Sequence, residues 1–199
     1  MDQQSAIEEI ALIKRVIEES REFTCNSGKE IITWGILISI AVFASYGAII
    51  AGYGHLAIWI WVVIIGSGWI FSIVMGIRKR PSMENLGVKI LSYVWTSCGI
   101  AMTILGFAGT ISGGLEDWAI APVFATIMGV SFAVTALVQK LNWVLYVAVA
   151  WWVGSLLMFL VRGLETMPIF GVMIILFMVI PGMLFRKQWR DQQAHPDTK

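Results

Sequence analysis

Residues 31–77 read IITWGILISIAVFASYGAIIAGYGHLAIWIWVVIIGSGWIFSIVMGI, 47 consecutive positions without an Asp, Glu, Lys or Arg. A hydrocarbon core of about 30 Å is crossed by about 20 apolar residues at about 1.5 Å each, so this run reads as two crossings. Gly52-Tyr53-Gly54-His55 divides it, because glycines and polar rings favour a turn. Four more uncharged runs follow, at 90–115, 118–139, 141–161 and 166–185. A single helix from Trp118 to Val161 would be about 66 Å long, twice the bilayer, so a tight turn is expected at Lys140. The fold class is therefore all-α, a bundle of six transmembrane helices at roughly 31–52, 56–77, 89–111, 118–138, 141–162 and 166–185.

Composition agrees with this reading. Of 199 residues, 58% are hydrophobic and only 14% charged, which excludes an ordinary water-soluble domain. The net charge of +1 is too small to suggest nucleic acid as a partner. Its distribution is informative. Counting loops alternately, Lys14, Arg15, Arg21, Lys29, Arg78, Lys79, Arg80, Lys89, Lys140, Arg186, Lys187, Arg190 and Lys199 fall on one side, and Arg162 alone falls on the other. Lys/Arg bias in short loops sets orientation, so both termini are expected in the cytoplasm.

Ahead of the first span, Ser5 to about Thr24 reads as a cytosolic amphipathic helix. It has a Ser5-x-x-Glu8 capping box and apolar Ile7, Ile10, Ile13 and Ile17 at helical spacing. Leu12, Val16 and Phe23 widen the stripe. Six acids against three bases make anionic lipid a poor resting place for this helix, so a protein surface is expected there. Thr24 to Gly28 reads as a short hinge. Three segments result: the helix and hinge at 1–29, a membrane domain at 30–187, and a polar cytosolic tail at 188–199.

Ile13-Lys14-Arg15-Val16-Ile17-Glu18-Glu19-Ser20-Arg21, then Ser27-Gly28, then Trp34-Gly35-Ile36-Leu37, resembles the starts of small bacterial multi-pass inner-membrane proteins with no assigned activity. The resemblance covers about 30 residues and implies a location, the bacterial cytoplasmic membrane. In size and span count the chain is also similar to the vitamin-binding subunits of energy-coupling-factor transporters, which implies a carrier or substrate-binding role.

Buried ionisable groups mark proton relays, metal sites and acid–base chemistry in membranes, and these spans contain none. A non-enzymatic protein without cofactor or metal is expected. Its partners are the lipid bilayer and a protein, or a second copy, bound through Ile7, Ile10, Ile13 and Ile17. Ten tryptophans are present. Trp34, Trp59, Trp118 and Trp143 lie near span ends and read as interfacial anchors. Trp69, Trp95, Trp151 and Trp152 lie deeper, with Ser155 one turn beyond Trp151 and Trp152 as an acceptor for an indole N–H. These five are the candidate pocket residues for a small neutral or aromatic-stacking ligand, set against a plain packing role. Small residues every fourth position, at Ala121, Ala125, Gly129 and Ala133 and at Gly68, Ser72 and Gly76, offer close helix approach within the bundle or toward another subunit. Pro181-Gly182 is expected to kink or loosen the last span.

Overall fold

The structure is a computed structural model that describes residues 3–78 and 86–194. The loop containing Lys79 and Arg80, the end of the tail at 195–199, and the side chain of Ile7 lie outside the described residues. Helix α1 runs Gln3–Ile50, α2 Ala57–Arg78, α3 Leu86–Ile104, α4 Asp117–Gln139, α5 Asn142–Val161, α6 Thr166–Ile174 and α7 Ile180–Ala194. A π-helical turn, Leu105–Gly109, extends α3, and another, Ile175–Val179, joins α6 to α7. Among the described residues six helical segments are long and apolar enough to cross a membrane: Ile31–Ile50, Gly54–Met75, Lys89–Gly109, Asp117–Gln139, Asn142–Val161 and Thr166–Lys187. This is an arrangement compatible with a multi-pass membrane protein.

Both expected turns are present and are built alike. At Gly52 (φ 84°) the Tyr53 N–H reaches back to the Ala48 carbonyl at 2.8 Å and the Gly52 N–H to Ile49 at 3.0 Å. At Lys140 (φ 51°) the Leu141 N–H reaches the Ala136 carbonyl at 3.0 Å and the Lys140 N–H reaches Leu137 at 3.4 Å. Each pattern satisfies helix-end carbonyls through one residue in the left-handed region. Glycine adopts that region without strain, and at Lys140 a side chain occupies it, the price of reversing two full spans with no intervening loop.

The N-terminal reading needs correction at two points. No hinge interrupts Thr24–Gly28; the backbone is helical from Gln3 to Ile50, a rod of 48 residues and about 72 Å. A lone glycine costs about 1 kcal/mol in a helix, which the hydrogen-bond ladder continuing from the apolar span offsets, and no proline enforces a break. Nor is Ser5 an N-cap, since the helix is already formed at Gln3.

Helix α1 is the hub of the bundle. It packs on α2, α3, α4, α6, the second π-turn and α7, whereas α4 pairs along its length with α5 and also meets α3 and α6. The core lies between α1, α4, α5 and α6–α7, around Val42, Ala125, Met128, Phe132, Ala148, Trp151, Met158, Phe170, Ile174 and Phe185.

Candidate functional site

The deep tryptophans divide into three settings. Trp151 is fully buried. Its ring lies 6.4 Å from Phe132 in a stacked arrangement and meets Phe170 at 5.9 Å and Phe177 at 6.0 Å edge-on. Trp95, from α3, also meets Phe132, edge-on at 5.3 Å, and its indole N–H donates to Thr135 Oγ1 at 3.2 Å. Phe132 thus contacts both Trp95 and Trp151. Edge-to-face and offset aromatic pairs of this kind are worth about 0.5–1.5 kcal/mol each beyond area burial.

Trp152 and Ser155 belong to a second group on the α4–α5 interface. The Trp152 indole N–H donates to the Thr126 carbonyl at 3.3 Å. Ser155 Oγ donates to the Pro122 carbonyl at 2.7 Å and lies 2.8 Å from Thr126 Oγ1. The indole of Trp152 lies directly over Gly129, where an added Cβ would collide with it. Trp69 is elsewhere, edge-on to Trp34 at 6.0 Å, with its ring beside Gly99. The five candidate residues are therefore brought together as Trp95 with Trp151 and Trp152 with Ser155, while Trp69 stays apart.

Ser155 is not the acceptor for Trp151. The Trp151 indole donates to the Phe177 carbonyl at 3.4 Å, across to the π-turn before α7. An α-helical register would pair that carbonyl with the N–H that Pro181 lacks. Pro122 is compensated similarly: it withdraws the N–H that would meet Trp118, and Thr166 Oγ1 donates to the Trp118 carbonyl at 3.3 Å. In a medium without water, carbonyls released by proline need such side-chain donors. Thr166 and Phe177 escaped the sequence reading. Locating the carbonyl four residues before each proline marks what must be capped, but not which helix supplies the donor.

Two glycines of the small-residue stripes, Gly68 and Gly129, serve as sockets inside the bundle. Gly68 on α2 faces the Trp34 ring, with a Cβ there falling 2.6 Å from it, and the Trp34 indole donates to Ser72 Oγ at 2.9 Å. Trp34 thus ties α1 to α2. The Trp118 N–H donates to the Glu116 carboxylate and the Arg162 guanidinium lies 5.4 Å from its ring centre. Trp143 packs against Phe185 at 4.8 Å with its indole N–H buried. At the α4–α5 turn, a cleft of about 380 Å³ is lined by Ala136, Leu137, Lys140, Leu141, Asn142 and Leu145, away from every candidate tryptophan.

On the N-terminal arm, Ile10, Leu12 and Ile13 of α1 are 58%, 62% and 51% exposed, whereas Val16 and Ile17 are half-buried. All four proposed contact residues lie on α1, whose stretch long and apolar enough to cross a membrane begins at Ile31. No family model, no curated protein and no solved structure matches this chain.

Proposed function

We propose that this chain is a non-enzymatic multi-pass protein of the bacterial cytoplasmic membrane, with both termini in the cytoplasm, that binds a partner protein or a second copy through the N-terminal arm of α1. The observation that carries the reading is the exposure of Ile10, Leu12 and Ile13 on an arm extending beyond the first membrane-crossing segment. Apolar side chains on a weakly lipid-attracted acidic helix favour burial against protein. Orientation is supported by Arg78, Lys89, Lys140, Arg186 and Lys187 all flanking spans at one end of the bundle, with Arg162 at the opposite end. We assign Trp69, Trp95, Trp151 and Trp152 to packing in place of ligand binding, because their rings meet neighbouring helices and three of their indole N–H groups bond to protein acceptors.

Deleting residues 1–24 tests the reading by native mass spectrometry of gently extracted protein. The expected result is loss of a defined dimer or hetero-complex with the bundle still inserted. An unchanged complex would sink it.

A further inference from the structure

We propose that the last span is a hinge centred on residues 175–182, clasped by Trp151 and seated against α1. Two backbone defects meet there. The π-turn Ile175–Val179 inserts an extra residue into the helix, and Pro181, followed by Gly182, lacks an N–H donor. π-turns and prolines are the usual sites at which a helix bends, and together they make this the weakest part of the hydrogen-bond ladder along the span.

Two contacts hold the segment in its present shape. The Trp151 indole donates to the Phe177 carbonyl at 3.4 Å, near the long limit for such a bond, while its ring packs on Phe177. On the opposite side Val179 fits against Gly35 of α1, so closely that a Cβ on Gly35 would lie 2.7 Å from Val179 Cγ2. The N-terminal arm and the first span are one uninterrupted helix. Displacement of the arm is therefore transmitted along a rod to Gly35, and from there to the π-turn. A hinge at Thr24–Gly28 would have absorbed it. The α6 half is anchored separately, through Thr166 Oγ1 on the Trp118 carbonyl, so bending at 175–182 moves α7 relative to α6 and not the whole span.

This inference concerns the bundle itself and stands whether or not the arm binds a partner. Hydrogen-exchange mass spectrometry on the full chain in lipid nanodiscs tests it. Trp151→Phe keeps a ring and removes the donor; exchange of peptides covering 175–185 is expected to rise about tenfold, the loss of one hydrogen bond, while peptides from 120–135 stay unchanged. Pro181→Ala restores the N–H and is expected to slow exchange in the same peptides and to blunt the effect of Trp151→Phe in the double variant. Gly35→Ala is expected to speed exchange at 175–185 by displacing Val179. Unchanged exchange in Pro181→Ala, or a rise in Trp151→Phe spread evenly over α4 and α5, would overturn the hinge. A Gly35→Ala variant with wild-type exchange at 175–185 would overturn the seat on α1.

Discussion

Helices α4 and α2 are both apolar enough to span a membrane, yet half of the α4 span is buried within the protein and only 6% of the α2 span is. Apolarity does not distinguish them, because lipid and protein interior accept the same side chains. Polar and small residues do. Helix α4 carries Ser131 and Thr135, which fold back onto Ile127 and Ser131 carbonyls, Thr126 facing Ser155, Pro122, whose freed Trp118 carbonyl accepts from Thr166, and Gly129 beneath Trp152. Helix α2 meets the bundle through α1, where Trp34 lies on Gly68 and Ser72, while Val63, Ile70 and Ile73 remain exposed. In a bilayer, position in the bundle follows from where backbones can approach and hydroxyls can pair.

The contrast can be broken most forcefully at Trp151. Trp151→Ala empties the aromatic core between Phe132, Phe170 and Phe177, and a loss of about 3–5 kcal/mol is expected for a buried aromatic truncation, read as a large fall in thermal unfolding temperature in detergent. A wild-type melting profile would contradict the packing assignment. Gly129→Ala places a methyl group against the Trp152 indole, and about 1–3 kcal/mol of destabilisation is expected from overpacking. The same measurement applies, and a neutral result would show that Trp152 moves aside freely. Val63→Ala, on the exposed face of α2, is expected to change stability by less than about 0.5 kcal/mol. A large loss there, accompanied by dissociation of an oligomer in native mass spectrometry, would mean that protein and not lipid covers α2.

Much of the architecture is legible in the residues. Five charge-free runs mark all six spans, four singly and one as a pair by its length, and the two turns at Gly52 and Lys140 follow from the impossibility of helices twice the bilayer thickness. The arm is harder. Thr24–Gly28 is rich in turn-forming residues, and local propensity argues for a break that the helix passes through. The candidate pocket shows the same limit: sequence spacing puts Ser155 one turn from Trp151, but Trp151 donates to Phe177 on the last span and Ser155 bonds to Pro122 on α4.

By itself the sequence determined that the chain is built from apolar helices long enough to cross a bilayer, how many there are, and where they reverse, because a bilayer core rewards length and apolarity and both are counted along one strand of residues. Which helix forms the hub, which glycine receives which indole, and which hydroxyl caps the carbonyl freed by each proline were decided only in three dimensions. Those pairings join residues dozens of positions apart, and nothing in the apolar pattern of one span records the face its neighbour presents.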